Sequence, residues 1–228
     1  MAPSIEKNLA VVRERMAEAA YRSGREPGAV TLVAVTKRQS AERVLEAYDA
    51  GCREFGENYV QELCEKAAQV GPRQGLRWHH IGQLQTNKAR QALELAALVH
   101  GVDRESVAVA LAKRAAEVGR VLPILVQVNV ARESQKGGCD PVVLGALLDR
   151  CAALPSVRVV GLMTMPPFSE EPEDSRRYFR ELHELRERFG GPARLPELSM
   201  GMSHDFAVAI AEGATLVRIG TAIFGERA

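Results

Sequence analysis

A lysine stands where an apolar segment of the sequence ends. The segment TLVAVT is typical of a buried strand, and Lys37 follows it at once. A charged amine at the inner end of a buried strand needs a role, because burial without a partner disfavours an ammonium ion. Its amine could form a Schiff base with a carbonyl compound. The alternative is a stem that packs on the strand while the charged end reaches solvent.

Two later segments place small and hydroxyl residues where strands are predicted to end. Ser203 lies in GMSHD, ahead of a predicted helix, and Gly220 and Thr221 end LVRIGT. Small residues let a backbone approach an anion, and hydroxyls and free N–H groups donate to it. Each alone could be a helix cap or a turn, but together they predict a phosphate site. By strand alternation, Arg218 shares a face with Gly220 and can point into that site.

A lysine beside a phosphate site has two plausible chemistries. One is an aldolase-type lysine that attacks a sugar phosphate without a cofactor. The other is a lysine that holds pyridoxal 5′-phosphate (PLP). The residues considered so far leave both open.

Composition excludes several classes of protein. With 30 basic and 29 acidic residues, the net charge of +1 gives no general attraction to nucleic acid or membrane.

The four cysteines form no CxxC pair and are expected to be small buried or half-buried residues. Adjacent His79 and His80 would point to opposite faces of a strand, so no metal site is predicted. No signal peptide or membrane span is recognised, and we expect a cytoplasmic protein.

Apolar runs alternate with helix-period segments along the chain. Strands are predicted at 31–36, 53–56, 77–82, 98–103, 123–130, 157–165, 197–201 and 216–220. Helices are predicted near 40–50, 58–70, 86–96, 104–118, 140–152, 173–189 and 204–212, after an opening amphipathic helix capped by Ser4.

Eight alternating units favour a parallel (β/α)8 barrel with an extra N-terminal helix, formed by residues 1–228 as a single domain. The sequence is less consistent with an open dinucleotide-binding sheet. Such a sheet is expected to have GxGxxG after its first strand, and TKRQSAER stands there instead. In a barrel, the active site lies at the carboxyl ends of the strands, where Lys37, Ser203 and Gly220 are predicted.

Six segments, taken in order along the chain, resemble the pyridoxal phosphate homeostasis proteins. They are LVAVTK, FGENYVQE, WHHIGQLQTNK, QVNVARESQKGG, GLMTMPP and LSMGMSHD with ATLVRIGTAIFGER. These are small PLP-binding relatives of the alanine racemase barrel. The resemblance covers nearly the whole chain. It implies the same barrel, with PLP as cofactor and Lys37 as the Schiff-base lysine.

The resemblance also implies roles for other positions. Ser203, Gly220 and Thr221 would bind the phosphate, with Ser199 and Met202 as neighbouring candidates. Arg218 would face the pyridine nitrogen. The surroundings of the ring would include Asn58 and His79. At two positions, His80 and His204, this sequence departs from the family pattern, and their roles are left open.

The resemblance implies a protein of intracellular PLP homeostasis, without established catalytic turnover. An arginine can only donate to the ring nitrogen, which weakens the cofactor as an electron sink. Racemisation needs a second acid or base, and in racemase relatives this is a tyrosine from a domain that this chain is too short to contain. A PLP-dependent racemase, with Tyr59, His79 or a second subunit supplying that group, stays the alternative. We expect a monomer whose partners are PLP and PLP-dependent apo-enzymes, and neither nucleic acid nor membrane.

Overall fold

The computed structural model describes residues 4–133 and 135–225, which contain a closed barrel of eight parallel strands. Each strand pairs with the next along the chain, and β8 returns to pair with β1. The predicted (β/α)8 barrel is therefore confirmed. The strands are β1 (Thr31–Val35), β2 (Glu54–Glu57), β3 (Arg77–His80), β4 (Ala96–Val102), β5 (Leu122–Gln127), β6 (Val157–Met163), β7 (Glu197–Ser199) and β8 (Leu216–Ile219).

Helices surround the barrel and connect its strands. They are α1 (Ile5–Arg22), α2 (Ala41–Asp49), α3 (Val60–Val70), α4 (Ala89–Leu95), α5 (Glu105–Glu117), α6 (Leu144–Ala152), α7 (Arg176–Arg188), α8 (Gly191–Arg194), α9 (Phe206–Ala211) and α10 (Thr221–Phe224). The four-residue helices α8 and α10 were not predicted, because one turn carries too little periodicity to be recognised. Predicted helices 86–96, 140–152 and 173–189 each begin with a short 3₁₀ turn.

Helix α1 begins and packs as its sequence predicts. The Ser4 hydroxyl accepts the N–H of Lys7, which confirms the predicted cap. The buried face of α1 packs against α2, α9 and α10 and consists of Ile5, Leu9, Val12, Met16 and Ala20. The neighbouring Ala19 is only half-buried, because the last step along the buried face is four residues, from Met16 to Ala20.

Several predicted strands extend too far at their carboxyl ends. Predicted strand 123–130 ends at Gln127, because Val128 forms only an isolated bridge with Cys139. Predicted strand 157–165 ends at Met163, and the next residue, Thr164, donates its hydroxyl to the carbonyl of Val128. The residues that follow the end of a barrel strand line the mouth of the barrel, and they include both apolar and polar types. Composition alone therefore does not mark where the strand ends.

The apolar residues form two cores. The larger one lies between the outer face of the strands and the helices, and it includes Phe55, Val217 and Ile219. The smaller one occupies the barrel interior and consists of Val33, Leu98, Leu125, Met163 and Leu216. Because side chains alternate along a strand, Arg218 shares the inner face with Leu216. The barrel interior is thus partly apolar and partly polar.

The burial of the four cysteines agrees with the expectation, and all four are free thiols. Cys52, Cys139 and Cys151 are buried and Cys64 is half-buried, and burial raises the pKa of Cys52 to about 11.

Within residues 4–133 and 135–225, no helix is long and apolar enough to cross a membrane, and no group of three or more His, Cys, Asp or Glu side chains could hold a metal ion.

Strands β6 and β7 approach closely where β6 contains Gly161. A Cβ atom at this position would lie 1.9 Å from the carbonyl oxygen of Glu197. We expect Gly161→Ala to lower the free energy of unfolding by about 3 kcal/mol, because the backbone of β7 would have to move. Urea unfolding followed by circular dichroism measures this change.

The matched control is Gly28→Ala, since a Cβ there has nothing within 4 Å. Equal stability of the two variants would show that the close approach of β6 and β7 does not constrain the barrel.

Candidate functional site

Lys37 lies at the mouth of the barrel, two residues beyond the end of β1. Its side chain is half-buried and lines a small pocket together with Val35, Gly220 and Thr221. Strands β1 and β8 are hydrogen-bonded neighbours, with Ala34 opposite Ile219. The pairing of the first and last strands therefore brings Lys37 beside the predicted phosphate residues, although they are far apart in sequence.

A buried ion cluster holds the backbone before Lys37. The hydroxyl of Thr36 donates to Oε1 of Glu57 at 2.5 Å, and Nζ of Lys66 donates to the Thr36 carbonyl. Lys66 Nζ also lies 2.7 Å from Glu57 Oε1 and 2.6 Å from Glu62 Oε1. Burial raises the pKa of Glu57 in spite of these donors. The side chains of β2 and α3 thus fix the end of β1.

The same cluster holds the backbone after Lys37. Oε1 of Glu62 accepts the N–H of Arg38, whose φ of 60° lies in the left-handed region. This conformation is uncommon for a residue with a side chain and needs support from its surroundings. The lysine is therefore carried by a turn that is anchored on both sides.

Ser203 lies in the loop after β7, beside the turn where β8 passes into α10. Its Oγ accepts the N–H groups of Gly220 and Ala222, each at 3.2 Å. The neighbouring Met202 donates its N–H to Oδ1 of Asp205 at 2.7 Å. The structure thus brings Ser203, Gly220 and Thr221 together at one strand end, with Ser203 as a cap of the short helix.

Arg218 is a buried cation beneath this strand end, with 3% of its surface exposed. Its Nη1 donates to Oγ of Ser199 at 2.5 Å, and its Nη2 donates to the carbonyl of Thr164 at 2.8 Å. Among the residues that the structure describes, no carboxylate forms an ion pair with it. Burial lowers the pKa of Arg218 to about 10, so it stays charged at neutral pH. A buried, uncompensated charge favours an anionic ligand.

His79 lies inside the barrel rather than on a cleft. Its Nε2 is 2.7 Å from Oε2 of Glu54, and its Nδ1 is 2.9 Å from Nε2 of His100. Nδ1 of His100 is 2.9 Å from Oγ of Ser199, which bonds Arg218. Sequence reasoning missed Glu54 and His100. A histidine within the apolar run LVHGV was the available signal, since such a residue needs a polar partner when buried.

A larger cleft of about 700 Å³ opens at the carboxyl ends of β2, β3, β5 and β6. Asn58 and His80 line it, together with Tyr59, which is 63% exposed. Burial lowers the pKa of His80 to about 4, so its ring is neutral. Its Nδ1 has no hydrogen-bond partner in the described part of the chain.

His204 is exposed and joins two loops of the mouth. Its Nε2 lies 2.8 Å from the carbonyl of Glu170, and its ring contacts that of Phe168. The side chain therefore ties the loop after β6 to the loop after β7.

The chain is similar to proteins of one family over nearly its whole length. A family model described as "Alanine racemase, N-terminal domain" matches residues 4–228. The "Pyridoxal phosphate homeostasis protein" of Aquifex aeolicus is 45% identical over 223 residues, which are 97% of this chain and 97% of that protein. The protein of the same name from Escherichia coli (strain K12) is 44% identical over 232 residues, covering 98% and 97%.

Solved structures resemble the barrel as well. The structure of PipY from Synechococcus elongatus "with PLP bound" is 38% identical, with a TM-score of 0.84, over 97% of this chain and all of that one. The alanine racemase of Corynebacterium glutamicum is 17% identical, with a TM-score of 0.69, over 96% of this chain and 61% of that one. The racemase shows a likeness of fold alone.

Removal of Lys66 tests the buried ion cluster. We expect Lys66→Met to lower the free energy of unfolding by about 3 kcal/mol, because a buried pair that loses one partner leaves an uncompensated charge on Glu57. Adding Glu57→Gln to this variant should restore part of the loss. Urea unfolding of the three proteins measures both effects.

The control is Lys113→Met on the exposed face of α5, which should change stability by less than about 0.5 kcal/mol. If Lys66→Met costs no more than this control, the cluster does not hold the turn that carries Lys37.

Proposed function

This chain belongs to the alanine racemase N-terminal domain family, among its pyridoxal phosphate homeostasis proteins, and from this premise we propose that it binds PLP in intracellular PLP homeostasis. The observation that carries the proposal is the position of Lys37. It lies at the mouth of the barrel, beside Gly220 and Thr221 and just beyond β1, the strand that pairs with the strand of Arg218. An amine can bind the carbonyl carbon of this cofactor, hydroxyl and N–H donors can bind its phosphate, and a cation can donate to its ring nitrogen.

Lys37 is the proposed Schiff-base residue. Bound PLP supplies a carbonyl carbon that condenses reversibly with amines. The anchored turn supports this role, since Thr36 and Arg38 are both held by the ion cluster of Glu57, Glu62 and Lys66. A fixed backbone limits the positions that the amine can reach, which favours one geometry of attack.

The proposed phosphate site consists of Ser203, Gly220 and Thr221. Its support is the convergence of hydroxyl and backbone N–H groups at the end of β8. The phosphate would also compensate the buried positive charge nearby. Of the two neighbouring candidates, Ser199 bonds Arg218, and Met202 contributes to the loop that carries Ser203.

Arg218 is proposed to face the ring nitrogen. A guanidinium has five N–H donors and no acceptor, and the described contacts use only Nη1 and Nη2. It can donate to the ring nitrogen but cannot take up its proton. The ring would stay largely neutral, and carbanion chemistry would be restrained.

Asn58 and His79 are proposed to belong to the ring's surroundings at different distances. Asn58 lines the larger cleft at the mouth, where it can contact a ligand directly. His79 is 1% exposed and reaches Arg218 only through His100 and Ser199. Its proposed influence on the ring is therefore indirect.

The proposed activity is to hold PLP and release it to amines or to apo-enzymes, without substantial catalytic turnover. Lys37 could serve one face of a substrate as an acid or base, but a second group is needed for the other face. Tyr21, Tyr48 and Tyr178 lie on helices outside the barrel. We further propose that the protein works in the cytoplasm as a monomer.

The alternative is a PLP-dependent racemase. Tyr59 favours it, because this tyrosine is exposed at the mouth and lines the larger cleft. A tyrosine hydroxyl there could act as an acid or base on a substrate bound to the cofactor, with Lys37 serving the other face. Tyr21, Tyr48 and Tyr178, which also belong to the described part of the chain, do not line that cleft.

Borohydride reduction tests the role of Lys37. After incubation with PLP and reduction, peptide mapping should find the label on Lys37. Lys37→Ala should abolish the covalent label, because it removes the amine that lies beside the phosphate site. The variant should keep weak, reversible binding of PLP through the residues of that site.

The matched control is Lys88→Ala, because Lys88 is another lysine at the mouth and lines the larger cleft. It should be labelled like the wild type. A wild-type label on any other lysine contradicts the proposal.

Incubation with single L-amino acids separates the two functions. For a homeostasis protein we expect no D-isomer by chiral chromatography, because no acid or base serves the second face. Multiple turnovers to the D-isomer that are lost in Tyr59→Phe would establish the racemase instead.

A further inference from the structure

A continuous chain of hydrogen bonds crosses the barrel interior and ends at Arg218. We call it the interior relay, and its members in order are Glu54, His79, His100, Ser199 and Arg218. Its four links measure 2.7, 2.9, 2.9 and 2.5 Å. The residues come from five strands, β2, β3, β4, β7 and β8, so the relay exists only in the closed barrel.

The relay runs from the edge of the barrel to its centre. Glu54 is the first residue of β2, its side chain is 15% exposed, and it also pairs with Arg77 at the surface. His79, His100 and Ser199 are 1%, 0% and 0% exposed. Polar groups buried this completely need partners, and each of the three has one on both sides.

The two ends of the relay impose one direction on its protons. Arg218 can only donate, so Oγ of Ser199 must accept from it. At the other end, an ionised Glu54 can only accept, so His79 must donate from Nε2. Burial lowers the pKa of His100 well below its usual value, so this ring is neutral and has one donor and one acceptor.

One arrangement then satisfies every link without an extra proton. The Ser199 hydroxyl donates to Nδ1 of His100, His100 donates from Nε2 to Nδ1 of His79, and His79 donates from Nε2 to Glu54. Both imidazoles carry their hydrogen on Nε2. Because the Ser199 hydrogen is directed to His100, the lone pairs of its oxygen are free to accept from Arg218.

We propose that His79 and His100 are positioning residues that orient the guanidinium of Arg218 toward the ring nitrogen of the cofactor. This inference rests on the proposed function for the identity of the cofactor. The relay holds Ser199 as an acceptor, and the Thr164 carbonyl holds the second Nη group. Loss of the relay would let the Ser199 hydroxyl rotate and release Arg218 from one of its two anchors.

Nitrogen-15 NMR of the histidine rings at neutral pH tests the proton arrangement without any cofactor. We expect His79 and His100 both to carry hydrogen on Nε2 and a bare Nδ1. A hydrogen on Nδ1 of either ring, or on both nitrogens of His79, would reverse the relay and overturn the proposal.

Two substitutions at position 100 test the positioning. His100→Leu removes both the donor and the acceptor, whereas His100→Gln retains one of each. We expect His100→Leu to bind PLP about tenfold more weakly than the wild type and to change the absorption spectrum of bound PLP, because Arg218 would lose one of its two anchors. His100→Gln should recover much of both.

Glu54 provides a second pair of variants if His100→Leu does not fold. Glu54→Gln keeps a carbonyl acceptor for His79, and Glu54→Leu removes it at a partly exposed position, at the end of the relay away from Arg218. We expect Glu54→Leu, and not Glu54→Gln, to alter the ring tautomers and the spectrum of bound PLP.

The outcomes separate this inference from the proposed function. If the wild type binds no PLP, the proposed function fails, and the NMR result still decides the proton arrangement. If the wild type binds PLP but the Leu variants match it in affinity and spectrum, the relay is only structural and the positioning role is refuted.

Discussion

The burial of one cation, Arg218, is the constraint on which the rest of the site depends. A guanidinium stays charged and can only donate, so the fold must surround it with acceptors. The described structure does so with two neutral oxygens, those of Ser199 and Thr164, and with no paired carboxylate. Part of the positive charge is thereby left for an anionic ligand to compensate. The neighbouring strand ends supply an amine from Lys37 on one side and further donors near Ser203 on the other.

This constraint explains why the barrel interior is divided. A barrel filled only with apolar layers would bury the guanidinium at a large cost. Here an apolar cluster that includes Leu98 and Leu216 fills part of the interior, and the interior relay fills another part with paired polar groups. A polar network buried in a low-dielectric interior is favourable only when each member is satisfied, so the relay and the cation depend on each other.

The sequence predicted those features that are local or periodic. The eight strands, the opening helix and its cap at Ser4 follow from apolar spacing and one hydroxyl, and Lys37 was recognisable as a charge at a strand end. The interior relay was not predictable in the same way, because the contact of Glu54 with His79 depends on strand register and that of His100 with Ser199 crosses the barrel. The anchor between Glu57 and Lys66 was missed for a similar reason, since one lies on β2 and the other on α3.

A crystal structure of the protein with PLP tests the central claim most directly, which is that Lys37 and Arg218 hold the same cofactor molecule. The account predicts continuous density from Nζ of Lys37 to the cofactor, the phosphate at Ser203, Gly220 and Thr221, and an N–H of Arg218 within hydrogen-bond distance of the ring nitrogen. PLP bound in the larger cleft on another lysine, or an Arg218 side chain turned away from the ring, would contradict it.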